Sequence, residues 1–194
     1  MKYRAVFALA AIASLSGCGI NSVPTAEENA KARWADVQND YQRRADLIPN
    51  LVATVKAAGA QEKSILVEVT QARASASQVK VSGGDLTDPA KVAAYEKAQA
   101  GVTLSLQRLQ EAYPELKSQG NYTTLMSQLE GTENRIAISR RDYNSAVQSY
   151  NTTIRTFPDA VGAKIFYGAK PMVPFQATTP GAEAAPAVNF GNSN

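Results

Sequence analysis

Residues 125–158 read LMSQLEGTENRIAISRRDYNSAVQSYNTTIRTFP. Leu125, Leu129, Thr132, Ile136, Ser139, Tyr143, Val147, Tyr150, Ile154 and Phe157 recur three or four residues apart through this stretch. That spacing lines up side chains on one stripe of an α-helix. The stripe is close to a strict heptad, the pattern of a helix packed lengthwise against others. Pro158 closes it, because proline offers no N–H to the next turn.

A helix this long needs partners to cover its stripe, and the preceding sequence supplies three. Asp88 and Pro89 fit the cap and first position of a helix. Val92, Tyr95, Val102, Leu106, Leu109 and Tyr113 give its apolar stripe, and Pro114 and Gly120 bracket its end. Ser82-Gly83-Gly84-Asp85 marks a loop over 81–88. Before it, a helix is predicted over 60–79, with Leu66, Val69, Ala72, Ala76 and Val79 toward the core and alanines permitting close approach. Gly59 is the stop that separates it from the first helix. There Thr25 and Glu28 form a capping-box pattern. The stripe runs Trp34, Val37, Tyr41, Ile48, Leu51, Val55, with one seven-residue step across Arg44. Pro49 falls inside the stripe, which continues in phase, so a kink rather than an end is predicted. The expected fold is all-α: an antiparallel, up-and-down four-helix bundle with long helices and a short C-terminal arm. The alternative merges the first two helices across Gly59. Ile165-Phe166-Tyr167 and Val173-Pro174-Phe175 read as parts of the arm, and the Ala-, Pro- and Gly-rich 178–194 as a disordered tail.

The amino terminus reads as an address. Lys2 and Arg4 are followed by the apolar run AVFALAAIASL, residues 5–15. The run is shorter than the roughly 20 residues of a bilayer span and fits a signal peptide over 1–17. Leu15-Ser16-Gly17-Cys18 is a lipobox pattern: a branched apolar residue, two small ones, then the cysteine that takes the lipid. A single acyl chain holds a protein only marginally, and two hold it stably. The expected arrangement is a lipidated tether over 18–24 and a helical domain over 25–177, anchored in the cell membrane or outer membrane. The body then lies outside the cytoplasm, in the periplasm of a Gram-negative cell.

Composition narrows the chemistry. The chain has 194 residues, no histidine and one cysteine, Cys18, which a lipid would consume. His-based general catalysis, Cys nucleophiles, Cys/His zinc sites and disulfides are therefore excluded. Removing Lys2 and Arg4 from the 20 basic residues leaves 18 against 17 acidic, a net charge of +1. The charges are spread along the chain, so there is no basic stripe for nucleic acid. No cofactor or metal is expected beyond the covalent lipid on Cys18.

Three groups stand out as candidate sites. Arg44 lies in phase with the apolar stripe, where a charge needs a partner. Glu130 or Glu133 is placed to provide one. The pair then fixes the helix register, or, with Arg43, Asp46 and Asn50, forms a polar pocket at Pro49. The Tyr143-Asn144 and Tyr150-Asn151 pairs are seven residues apart on one face. Their rings fill the core with each hydroxyl finding a partner, or the two pairs line a binding groove. Glu130 and Glu133 share a face, yet the Glu-x-x-His motif of di-metal bundles lacks its histidine. No catalytic constellation emerges.

Several of these segments resemble one family. Residues 43–52, RRADLIPNLV, resemble the "RR-DLIPNLV" segment of the LemA family, and residues 130–137, EGTENRIA, its "EGTENRIA" segment. Arg141-Asp142-Tyr143-Asn144, Tyr150-Asn151 and Arg155-Thr156-Phe157-Pro158 are similar to its paired "YN" positions and its "RTFP" end. The likeness covers residues 25–177 and draws Asn134 and Arg141 into the candidate polar network. It implies a helical bundle at a bacterial membrane. Many members look like single-span membrane proteins, where this chain carries a lipobox. Some members are encoded near membrane metalloproteases and others belong to magnetosome membranes, which implies an accessory role. The expected function is a non-enzymatic interaction or scaffold module that docks a membrane protein or assembly. The alternatives are a self-associating envelope structural protein and an enzyme working with Ser, Lys or carboxylates.

Overall fold

The computed structural model describes residues 21–59 and 63–176. The expectations for the signal peptide, Cys18 and the tail lie outside the described residues. Within them the protein is all-helical apart from its turns and the extended run that follows Gly168.

Helix α1 spans Ser22–Ala57. It begins earlier than the sequence suggests: Ser22, Val23 and Pro24, assigned above to the tether, form its first turn. Val23 is fully buried, and that burial explains the early start, since this turn has an apolar contact to make. Thr25 is accordingly no cap, and its hydroxyl donates to the Asn21 carbonyl at 2.7 Å. The helix runs through Pro49 without a break, with the ring on the exposed face. It ends where Gly59 adopts φ +86°, a conformation that costs glycine little. The merged-helix alternative is thereby excluded.

Helix α2 spans Lys63–Gln78 and buries Leu66, Val69 and Ala76; Ala72 and Val79 are half-buried. The following loop contains a 3-10 turn, Gly83–Thr87, that buries Leu86. Helix α3 spans Pro89–Ala112, and the Asp88 carboxylate accepts from the Ala90 N–H at 2.9 Å, as the cap pattern predicts. A second 3-10 turn, Pro114–Ser118, leads to helix α4, Gly120–Thr153. This helix stops four residues short of the predicted end. Phe157 is 86% exposed and no part of the core. Proline disfavours helical backbone in the residue before it, so the helix unwinds ahead of Pro158.

A short helix α5, Asp159–Gly162, and a π-helical turn, Ala163–Tyr167, follow. The π-helical turn ends at Gly168, φ +54°, and the chain then runs extended to residue 176, antiparallel to α4. The arm is thus divided. Met172 and Phe175 are buried, whereas Ile165, Phe166 and Tyr167 face outward.

Among the described residues two apolar clusters form the interior. One is rich in aromatic rings: Trp34 lies 5.2 Å from Tyr95, 5.3 Å from Tyr143 and 5.4 Å from Phe175 between ring centres. The other is mostly aliphatic, built on Ile48, Leu51, Val55, Leu66, Val69, Leu106, Leu109 and Leu129.

Candidate functional site

Arg44 lies along α1 between residues of the two clusters and is 2% exposed. One terminal nitrogen, Nη1, donates to Glu133 Oε1 and to Thr103 Oγ1, both at 2.8 Å. The other, Nη2, donates to the Gln99 carbonyl at 3.0 Å and to Gln99 Oε1 at 2.7 Å. The guanidinium also lies 5.0 Å from the centre of the Tyr41 ring, a favourable placement for a cation. Glu133 on α4 is the ion-pair partner, and Glu130 is exposed. A buried guanidinium requires this many acceptors because its desolvation cost is large. The arrangement ties α1, α3 and α4 together at one level.

Two cavities flank this level. One of about 430 Å³ lies among α1, α2, α3 and the 79–82 loop, bordered by Gln38, Tyr41, Arg44, Arg73 and Gln99. Arg73 reaches across from α2 to donate to the Ala45 carbonyl at 2.7 Å. The other, about 500 Å³, lies among α1, α3 and α4 and is bordered by Glu96, Thr103, Glu133 and Arg140. Burial pushes the Glu96 carboxyl above its ordinary pKa, against the Gln176 N–H and the Arg140 charge that favour its ionised form.

The two Tyr-Asn pairs have a definite occupant. Residues 170–176 lie along α4, and both pairs bind their backbone. Tyr143 donates to the Val173 carbonyl at 2.9 Å and Tyr150 to the Lys170 carbonyl at 3.1 Å. Each Asn grips one residue at both ends of its backbone. Asn144 donates to the Phe175 carbonyl at 3.0 Å and accepts its N–H at 2.8 Å. Asn151 does the same for Met172, both bonds at 2.8 Å. The registers match: seven helical residues rise about 10.5 Å, and three extended residues span about 10 Å. A heptad on the helix therefore meets every third residue of the strap.

The strap's prolines fit this arrangement. Pro171 and Pro174 have no N–H to satisfy. The intervening donors all have acceptors: Met172 and Phe175 on the two Asn, Val173 on the Leu86 carbonyl at 2.9 Å, and Gln176 on Glu96 Oε1 at 2.9 Å. Arg140 completes the end, donating to the Gln176 carbonyl at 2.8 Å and lying 4.7 Å from the Phe175 ring centre. Burial raises the pKa of Tyr143 and Tyr150 above the usual phenol value, so both remain neutral donors.

The structure thus brings Arg44 together with Glu133, and Tyr143, Asn144, Tyr150 and Asn151 together on the strap. It does not gather the rest. Arg43, Asp46, Asn50, Glu130, Asn134 and Arg141 are exposed; Asp46 accepts from Gln42 one turn away and Arg141 stands 4.0 Å from Asp142. Among the described residues no polar pocket gathers these side chains at Pro49: Arg43, Asp46 and Asn50 lie on the face of α1 opposite the stripe, and Glu130, Asn134 and Arg141 on exposed positions of α4. Sequence reasoning passed over Gln99, Thr103, Glu96 and Arg140. Gln99 had a signal, since it sits in register between Tyr95 and Val102 in a buried stripe. Thr103, Glu96 and Arg140 had none, because their roles depend on neighbours distant in sequence.

Magnetosome proteins MamQ 2 and MamQ 1 of Paramagnetospirillum magneticum are each 30% identical over 157 residues, covering 71% of this chain and 58% of theirs. Magnetosome protein MamQ of Magnetospirillum gryphiswaldense is 29% identical over the same coverage. The chain therefore spans under two thirds of the length of these relatives. The LemA family model matches residues 33–190, which include Arg44, Glu133, both Tyr-Asn pairs and the strap, and the chain belongs to the LemA family.

Proposed function

We propose that this protein is a lipid-anchored, non-enzymatic interaction module of the bacterial envelope, with its helices arranged as an antiparallel four-helix bundle. The observation that carries the non-enzymatic reading is how the chain spends its most distinctive polar groups. The Arg44 guanidinium and both Tyr-Asn pairs are bonded to the protein's own helices and backbone. Such groups position structure and are not free to act on a substrate. The bundle reading rests on which residues meet. Trp34 and Arg44 of α1 face Tyr143 and Glu133 of α4, and Arg108 of α3 pairs with Glu68 of α2 at 2.6 Å. Between α1 and α4 the sequence numbers run in opposite senses, and between α2 and α3 they do too, since Ala76 and Tyr95 border one cavity while Glu68 and Arg108 pair further along.

The anchor reading rests on the Leu15-Ser16-Gly17-Cys18 pattern. Among the described residues no helix is long and apolar enough to cross a membrane. Relatives named for the magnetosome support a role in a membrane-linked assembly. Metabolic labelling with a fatty acid tests the anchor: wild type incorporates label and Cys18→Ala does not. Equal labelling of both retires it. In-cell crosslinking of wild type, Cys18→Ala and an unrelated lipoprotein then tests the adaptor role. A defined partner captured only by the anchored protein supports it, and a capture profile identical to the control lipoprotein's overturns it.

A further inference from the structure

The residues between α4 and the strap form an apolar surface with no cover among the described residues. Phe157 is 86% exposed, Val161 50%, Ile165 69% and Phe166 68%. The first three are spaced by four, and Phe166 adjoins the last. Tyr167, 41% exposed, continues the patch; the other exposed large apolar residues, Val67, Leu104 and Ile138, stand singly on three different helices, which is ordinary for a protein surface. Local sequence explains why this turn faces outward. Ala163 fills the inward position, and the small Ala160 and Gly162 beside it leave the bulky side chains on the other side.

Two further observations say what covers it. The first is position. Ser22 Oγ donates to Asp159 Oδ1 at 2.6 Å, and Val23 and Ala163 share one apolar cluster. The segment that carries the patch therefore lies beside the start of α1. Cys18 precedes Asn21 by three residues, a reach of at most about 11 Å. A lipid on Cys18 brings the bilayer to this end of the molecule. The second is charge. Between residues 155 and 170 the chain carries Arg155, Lys164 and Lys170 against the single acidic Asp159, and all three basic residues are exposed. Aromatic and aliphatic side chains flanked by Lys and Arg are the composition that settles at the interface of an anionic bilayer.

We propose that residues 157–167 form a membrane-facing collar that rests on an anionic lipid surface beside the anchor and holds the bundle against the bilayer. The collar rests on the lipid-anchor reading for its placement. It makes the second contact that a tether alone lacks.

The test uses the full chain, purified and reconstituted into vesicles of phosphatidylethanolamine with phosphatidylglycerol. An environment-sensitive fluorophore is placed at Phe166→Cys or, as control, at Leu104→Cys. Residue 104 neighbours Thr103 at the Arg44 level, some 22 helical residues and roughly 33 Å along α1 from Ser22. The label at 166 is expected to shift to the blue and to be quenched by spin-labelled lipid, and the label at 104 to do neither. Phosphatidylcholine vesicles or high salt should weaken the effect, and Phe157→Ser with Ile165→Ser should reduce the quenched fraction roughly tenfold or more. These side chains are exposed, so the variants keep their fold. Equal quenching at 166 and 104 overturns the collar. So does a blue shift at 166 that precedes lipid addition, whether concentration-dependent, as for a second copy, or not, as for cover by the chain's own remaining residues. The mass of the Cys18 peptide from the same sample reports the anchor separately, and where Cys18 carries no lipid the labels are read in the Cys18→Ala background so that only the introduced thiol takes the dye: absence of lipid on Cys18 with a quenched 166 removes the anchor and keeps the collar, and a lipidated Cys18 with an unquenched 166 does the reverse.

Discussion

The aromatic and aliphatic clusters both join α1, α3 and α4, by different means, and the aliphatic one also takes in α2. Around Trp34 the rings meet tilted, edge-on and, for Trp34 on Phe175, stacked, and polar tips are bonded: Trp34 Nε1 to the Val81 carbonyl at 3.0 Å, Tyr143 and Tyr150 to the strap. Around Leu51 and Leu109 contact is mostly apolar and non-directional; Tyr113 and Tyr122 are both buried there, and the Tyr122 hydroxyl has no hydrogen-bond partner among the described residues. Directional bonds specify one geometry; apolar contact supplies stability without choosing among similar packings. The half that must receive the extended strap is the half built from directional bonds. Arg44 sits where the two regimes meet.

Removing Arg44 should have the largest effect. Arg44→Ala leaves both Gln99 acceptors without their donor and opens a cavity, for a cost of about 3–5 kcal/mol read from the urea unfolding midpoint. Glu133 is 37% exposed and can hydrate, so the lower figure is expected; a cost below 1 kcal/mol would show that the two halves do not depend on the charge between them. Leu51→Ala, in the aliphatic half, should cost about 2–5 kcal/mol by the cavity it leaves while leaving protection of the strap amides unchanged.

Strap substitutions should separate the halves most cleanly. Asn151→Ala removes two hydrogen bonds to Met172, a loss of about 1–3 kcal/mol. Hydrogen exchange at the Met172 and Val173 amides should quicken while the amides around Leu109 keep their protection. Uniform loss across both regions would break the comparison.

Alkaline pH offers a gentler probe. Burial raises the pKa of Tyr41, Tyr95, Tyr143 and Tyr150 above the unfolded value of about 10. A raised folded-state pKa means stability that is complete below the unfolded pKa and lost as pH climbs through the folded one. Stability should therefore hold to about pH 10 and fall above it. The tyrosinate absorbance of these residues should lag behind that of exposed tyrosine, and loosening should begin in the aromatic half. The smallest effect is expected at Tyr122: Tyr122→Phe removes an orphaned hydroxyl and should be neutral or stabilising by about 1 kcal/mol, as measured by thermal denaturation.

The sequence determined a good deal on its own. Apolar periodicity located the long helices and most of their buried faces, because a stripe at helical spacing is a local property of the chain. Asp88-Pro89 and Gly59 marked helix ends for the same reason, as capping depends on adjacent residues. The charge inside the stripe at Arg44 announced the need for a buried partner. What the sequence left open is what depends on distant neighbours. It narrowed the acid to Glu130 or Glu133 but did not choose, since both lie within one turn and only the rotation of α4 against α1 separates them. It set the two Tyr-Asn pairs on one face but gave no occupant for it, because the strap's bond pattern follows from the match between seven helical and three extended residues across a turn of chain. It began α1 too late at Thr25 and extended α4 too far to Phe157, because burial at Val23 and backbone restriction ahead of Pro158 moved those ends. Periodicity is written in the chain; pairing across the core is decided only when the helices have packed.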